Sequence, residues 1–165
     1  MKNVTLVLCC FCLIAGLPGC ISFKVEPLPD PARILQEVTL CREIDESQVL
    51  LEPGEAVTEF RAGKDPVICF LYLKDVAQEV VLKWKWYSPD KILFKESDEA
   101  VINQEETYLE AVTAYDRIEP GALKEHQGQW SVSIFLNDVL LTRLSFKVIP
   151  DAWQNQRLHV GRDIP

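Results

Sequence analysis

Two histidines, six cysteines and twenty-five acidic residues are the groups in this 165-residue chain with the most obvious capacity for chemistry. A nucleophile–base pair needs a histidine or an equivalent base beside a serine or cysteine. His126 sits in a polar stretch just before Gly128, and His159 lies in the C-terminal tail, so both read as solvated loop residues. The acid pairs Asp45-Glu46, Asp98-Glu99 and Glu105-Glu106 read as solvated surface, and none has the spacing of a calcium-binding loop. There is no Gly-x-Ser-x-Gly elbow and no phosphate-cradling glycine loop. Carboxylates distant in sequence can still assemble a glycosidase, which keeps a hydrolase as the weakest of three functional readings. The expectation is therefore no catalytic residue, no cofactor and no metal site.

The N-terminus is more explicit. Lys2 supplies a short basic start, Val4 to Leu17 is almost wholly apolar, and Leu17-Pro18-Gly19-Cys20 closes the segment. That is the layout of an export signal. The apolar run is shorter than the roughly 20 residues a spanning helix needs, and Gly16, Pro18 and Gly19 break it. The terminal cysteine resembles the lipobox of bacterial lipoproteins. The resemblance implies cleavage after Gly19, leaving Cys20 as an N-terminus with a diacylglyceryl thioether and an amide-linked acyl chain. More than one acyl chain makes membrane anchoring stable, at about 0.8 kcal/mol per buried methylene. Ile21 after the cysteine, where Asp is absent, implies passage to the outer membrane facing the periplasm.

Net charge is −8, and removing the signal takes away Lys2 but no acid. An acidic chain of this kind lacks the basic face that nucleic acid requires. Electrostatic attachment to anionic lipid is equally disfavoured, so the lipid must do the anchoring. Cys9, Cys10 and Cys12 leave with the signal, and Cys41 and Cys69 remain. In an oxidising compartment a lone pair reads first as a disulfide, with two buried thiols or a metal site as alternatives. Metal ranks last, because a structural zinc wants four ligands and only His126 and His159 could join the cysteines.

The elements that would position these groups read as β. Residues 20–35 carry Pro27, Pro29 and Pro31 and form an extended tether, able to lift the domain on the order of 40 Å in polyproline geometry. Residues 36–149 are one strand-rich domain, and 150–165 a tail. Turn signals recur at Glu52-Pro53-Gly54, Gly63-Lys64-Asp65-Pro66, Ser88-Pro89-Asp90, Glu119-Pro120-Gly121 and Asn137-Asp138. Leu82, Trp84 and Trp86 share one strand face, with Lys83, Lys85 and Tyr87 on the other. Trp130, Val132, Ile134 and Leu136 likewise share a face, as do Leu140, Leu144, Phe146 and Val148. These two segments flank Asn137-Asp138 as a hairpin. A plain two-residue loop there would point Arg143 inward, so keeping both apolar faces together requires an odd loop or a bulge. Thr107 to Ile118 fits a helix or a strand, and its β-favouring residues decide for strand. Short strands, frequent turns and inward tryptophans together predict an all-β, antiparallel sandwich of about seven strands.

A family resemblance supports this. Cys41-Arg42-Glu43-Ile44-Asp45, Phe60, Ile68-Cys69-Phe70 and Trp86-Tyr87-Ser88-Pro89-Asp90 carry its first part. Gly128-Gln129-Trp130-Ser131-Val132 and Leu144-Ser145-Phe146-Lys147-Val148 complete it. The chain resembles, over most of residues 38–148, an exported bacterial family of unknown function with an immunoglobulin-like sandwich. The resemblance implies a Cys41–Cys69 bridge and an envelope location, and it brings no activity.

One strand is apolar on both faces: Val67, Cys69, Leu71 and Leu73 on one, Ile68, Phe70 and Tyr72 on the other. Such a strand must be covered twice. The expected second cover is the C-terminal tail, through Ile149 and Trp153, with a partner as the alternative. The expected function is a lipid-anchored, non-catalytic module that binds another envelope protein through Ile68, Phe70, Tyr72, Tyr87, Phe135 and Trp153. A carbohydrate-binding module that stacks sugar on Tyr72, Tyr87, Phe135 or Trp153 is the alternative. A flat face favours protein, and a groove with polar groups between rings favours sugar.

Overall fold

A computed structural model describes residues 31–48, 50–76, 79–102 and 111–151. One helical turn (α1, Pro31–Ile34) leads into β1 (Leu35–Cys41), and a short ribbon follows, made of β2 (Ile44–Asp45) and β3 (Glu52–Pro53). Next come β4 (Glu59–Arg61), β5 (Val67–Lys74), β6 (Val80–Tyr87), β7 (Leu93–Glu96), β8 (Ala100–Ile102) and β9 (Ala111–Ile118). A 3₁₀ turn (Pro120–Leu123) separates β9 from the closing hairpin, β10 (Gly128–Leu136) and β11 (Val139–Ile149). Two sheets face each other: β1-β5-β9, and β4-β11-β10-β6-β7 with β8 also paired to β6. The chain changes sheet five times, on passing from β1 to β4, β4 to β5, β5 to β6, β8 to β9 and β9 to β10. This is the expected all-β, immunoglobulin-like sandwich, with nine strands among the described residues of its two sheets where about seven were expected and with one parallel pair, β4 on β11.

The period-two pattern explains why these residues form this core. Val80, Leu82, Trp84 and Trp86 are buried along β6, while Val81, Lys83, Lys85 and Tyr87 are half-buried on its other face. Trp130, Val132, Ile134 and Leu136 face them from β10. Val67, Cys69, Leu71 and Leu73 close the core from β5. Phe146 stands at the centre, its ring 5.5 Å from Phe60, 6.0 Å from Trp86 and 6.1 Å from Trp130.

The hairpin solves the parity conflict with a bulge. Asn137 and Asp138 take positive φ of 47° and 63°, the pair of left-handed residues a tight hairpin turn demands. Leu136 pairs with Val139 and Phe135 with Leu140, but Ile134 then pairs with Thr142, so Leu141 is the extra residue. Beyond it, Leu144, Phe146 and Val148 face the core and Arg143 faces out. The bulge also corrects one assignment. Leu140 lies opposite Phe135 on the outer side and is 49% exposed rather than internal.

Two other expectations change, and β9 fixes a face that the sequence had left open. Pro31 opens a helical turn and Ile34 is buried in the core, so these positions belong to the domain and not to the expected tether. Proline suits a first helical position because its missing N–H would be unpaired there anyway. In β9 the inward row is Val112, Ala114, Asp116 and Ile118, opposite Leu73, Leu71, Cys69 and Val67. Tyr115 therefore points outward, and an acid points in. Finally, the Cys41–Cys69 bridge does not form: both are buried free thiols. Leu40 pairs with Cys69 and Cys41 with Ile68, and directly paired residues share a face. Cys41 thus packs outside the sheet with Ile68 and Phe70, and Cys69 lies in the central core. Side chains on opposite faces cannot meet the geometry of a disulfide.

Candidate functional site

The two outer faces of the sandwich differ. On the small sheet, Cys41, Ile68 and Phe70 are buried, with Ile44, Leu51, Tyr72 and Tyr115 packed against them. Among the described residues, the cover comes from the ribbon segment between β1 and β4. Ile149, expected there, is instead the last residue of β11 in the other sheet. Ile68 and Phe70 are therefore no free interaction surface, at 5% and 1% exposure. Gly54 helps close the ribbon by donating its N–H to the Glu43 carbonyl at 2.9 Å. Tyr72 remains half-buried at the rim, with Lys74 Nζ 5.9 Å from its ring centre. Cys20, Trp153 and His159 lie outside the described residues.

Burial pushes the Cys69 thiol well up, and proximity to the Trp84 indole only partly offsets this. Trp84 Nε1 is buried with no partner of good geometry, since the neighbouring sulfur is at best a weak acceptor. Cys41 is also raised by burial, against hydrogen bonds from the Gly54 and Glu43 backbone. Neither thiol has the exposed, electropositive setting of a reactive cysteine.

Among the described residues, no further layer covers the outer face of the large sheet, and Lys83, Lys85 and Tyr87 are half-buried on it. Strand register sets Arg143, Ser133, Lys85 and Glu96 in one row across β11, β10, β6 and β7. Tyr87, opposite Ser131, flanks this row on one side, and Phe135, opposite Lys83, flanks it on the other. Each ring carries a cation: Lys85 Nζ lies 5.3 Å from the Phe135 centre and Arg143 Cζ 5.8 Å from the Tyr87 centre. Contacts of this kind contribute about 0.5–1 kcal/mol at exposed sites and hold the cation in place. Arg143 Nε also donates to Ser133 Oγ at 2.8 Å, and Ser133 is fully buried. Lys85 and Lys83 are neutralised by Glu96 at 3.4 and 3.5 Å, and Lys83 by Glu99 at 2.9 Å. Tyr87 and Phe135 were legible from alternation alone. The row that joins Arg143, Ser133 and Lys85 was not, because it depends on the strand register.

His126 is structural here. Its ring packs 5.4 Å from Phe94, and its carbonyl accepts the Trp130 Nε1 hydrogen bond at 2.8 Å. A shallow groove of about 250 Å³, lined by Arg42, Ile44, Ile68, Tyr115, Arg117 and Pro120, is below the usual size of a small-molecule site. Among the described residues, no three His, Cys, Asp or Glu side chains gather to hold a metal, and no helix is long and apolar enough to cross a membrane.

Beside the groove, Asp65 is 4% exposed and organises two arginines. It accepts from Arg61 N, Nε and NH2 at 2.8, 3.0 and 2.7 Å, and Arg42 Nε lies at 3.2 Å. Burial alone would raise this carboxyl, but the Arg61 hydrogen bonds and both guanidinium charges hold it below the ordinary carboxylate range. A depressed carboxyl stabilises the fold above its unfolded value, near 3.9, and that contribution fades as pH falls through the lower folded value. Asp65→Asn should therefore cost about 1–3 kcal/mol at pH 7. The gap from the parent should shrink by pH 3, read as urea midpoints. An equal gap at both values would mean that the Asp65 charge contributes nothing.

No protein-family model matches the chain, and no curated protein matches it. Solved structures that superpose on it include an immunoglobulin-like protein from Pseudomonas aeruginosa, 19% identical with a TM-score of 0.45, over 71% of this chain and 95% of that one. A CARDB domain from Pyrococcus furiosus, solved with di-metal ions, is 11% identical with a TM-score of 0.37, over 72% and 97%. The alkylpurine DNA glycosylase AlkC of Pseudomonas fluorescens, bound to DNA with an abasic-site analogue, is 12% identical with a TM-score of 0.40. That likeness covers 56% of this chain and 27% of the glycosylase. The class of the molecule, a small immunoglobulin-like sandwich, rests on its own topology.

Proposed function

We propose that this is a lipid-anchored, non-catalytic envelope lipoprotein whose sandwich binds another envelope protein. The observation that carries the reading is the outer face of β6, β10 and β11, where Tyr87 and Phe135 lie with Arg143 and Lys85 seated over their rings. Tyr and Arg are among the side chains that most often anchor protein interfaces, and an aromatic and cationic face of this kind suits a protein partner. Lipidation at Cys20, suggested by Leu17-Pro18-Gly19-Cys20, would hold that face in the envelope, most simply on the periplasmic side of an outer membrane.

A carbohydrate ligand is the second reading, favoured by one observation. Lys85, Ser133 and Arg143 lie between the two rings, which are offset by four residues, about 14 Å along the strands. The test is a photo-crosslinking residue placed at Tyr87 in the native lipoprotein, with Lys74 as the control position. A discrete protein adduct from position 87 alone, lost when Cys20→Ser releases the protein from the membrane, supports the reading. No adduct at position 87, together with retention on a glycan column, transfers it to carbohydrate.

A further inference from the structure

Among the described residues, β11 has a long edge that nothing pairs. Its inner edge is paired with β10 almost throughout, but its outer edge meets β4 only at Lys147, Val148 and Ile149. The reason lies in the preceding chain. Val57 N–H is bonded to the Leu40 carbonyl of the other sheet, so β4 arrives at β11 only for its last three paired positions. From Val139 to Phe146 the edge is therefore open. Its polarity can be read from the paired end. Lys147 N–H donates to the Thr58 carbonyl, and the Ile149 carbonyl accepts from Ala62 N–H, both at 2.8 Å. Backbone direction alternates with period two, so Ser145 and Arg143 also aim N–H and C=O at the open edge.

We infer that this edge accepts an added β-strand, an extended acidic segment of the partner protein. The inference rests on the protein-binding reading above and names how the partner is held. The charge at the edge selects the occupant. Among the described residues no carboxylate pairs with Arg143, whose Nε is committed to Ser133 and whose plane lies over Tyr87. Its terminal nitrogens remain for an incoming acid, in the fork geometry that suits a carboxylate. A strand laid on the edge places every second side chain on the outer face beside Arg143, so a segment alternating acid and small residue matches it. A second copy of this chain is a poor occupant, because its own edge carries Arg143 and Lys147. Main-chain hydrogen bonds would supply the affinity and Arg143 the selection, as in other strand-addition complexes.

The probe is a synthetic peptide alternating threonine and glutamate, added to the full lipidated protein in detergent. Amide hydrogen exchange is read at Arg143 and Ser145. Exchange at both should slow about tenfold or more on addition. The same peptide N-methylated at alternate residues should give no slowing, and Arg143→Glu should shift the preference to a threonine–lysine peptide. Ser145→Pro removes an outward N–H without touching the β10 ladder, so it should keep its denaturant midpoint and lose the peptide. Protection of both amides in the free protein, no slowing by the acidic peptide, or slowing that survives N-methylation would overturn the inference. The two readings fail separately. A Tyr87 adduct that persists in Ser145→Pro removes the edge and leaves the partner. A missing adduct alongside peptide-protected amides removes the partner reading and leaves an edge that takes strands.

Discussion

Truncating Trp130 to alanine is expected to lower stability by about 3–5 kcal/mol, a large share of what a single domain has. The side chain is 1% exposed and joins three parts of the core. Its ring stacks on Phe146 at 6.1 Å and meets Phe94 edge-on at 4.9 Å. Its Nε1 donates to the His126 carbonyl, which ties the loop before Gly128 to the strand. Removing the indole opens a cavity between β10, β11 and β7 and breaks the hydrogen bond to the His126 carbonyl. Trp130→Phe refills most of the volume but not the hydrogen bond, so it should recover more than half of the loss. Equilibrium denaturation of the two variants checks this. A loss below about 1 kcal/mol for alanine would place Trp130 outside the core.

That tryptophan was visible in the sequence for a simple reason. Where a strand is buried on one face, the period-two pattern writes the face directly, as in Leu82, Trp84 and Trp86. The same logic exposes the hairpin's conflict in the sequence itself, because Leu136 and Arg143 cannot both be satisfied by a two-residue turn. Alternation could not say where the extra residue sits, so Leu140 was assigned to the wrong face. β5 shows the other limit. A strand apolar on both sides announces two covers but not their source, and the ribbon carrying Ile44 and Leu51 has too few paired residues to leave a pattern.

The cysteines failed for a related reason. Counting pairs Cys41 with Cys69, but register decides whether they meet, and one position of register moves a side chain to the opposite face. Leu40 opposite Cys69 settles it. The outer face of the large sheet was half legible. Tyr87 and Lys85 follow from β6 alone, whereas Arg143 over Tyr87 requires the bulge, the hairpin and the β6–β10 pairing together.

Asp116 carries the second large expectation, and no sequence pattern marked it. It occupies an inward position of β9, opposite Cys69, where an aliphatic side chain would ordinarily stand. Its carboxylate accepts from Trp86 Nε1 at 2.6 Å and from Lys95 Nζ at 2.6 Å, and Lys95 also reaches the Arg117 carbonyl. One acid thus links the small sheet to β6 and β7 of the large one along an otherwise unpaired side of the sandwich. Asp116→Ala should cost about 2–4 kcal/mol, because it leaves the Trp86 indole N–H buried without an acceptor and Lys95 without its counter-charge. Asp116→Asn keeps an acceptor for Trp86 and should cost about half as much. The ion pair can be isolated from simple loss of packing with Lys95→Met. If the latch is real, the double variant Asp116→Ala/Lys95→Met loses less than the sum of the singles by about 1 kcal/mol or more, since the second change no longer strands a charge. Trp84 provides the internal contrast. Its Nε1 is already without a good partner, so Trp84→Phe sacrifices no hydrogen bond, whereas Trp86→Phe strands an oxygen of Asp116. Trp86→Phe should therefore be the more damaging of two chemically identical changes on the same strand face, and equal losses would mean that Asp116 is held by Lys95 alone.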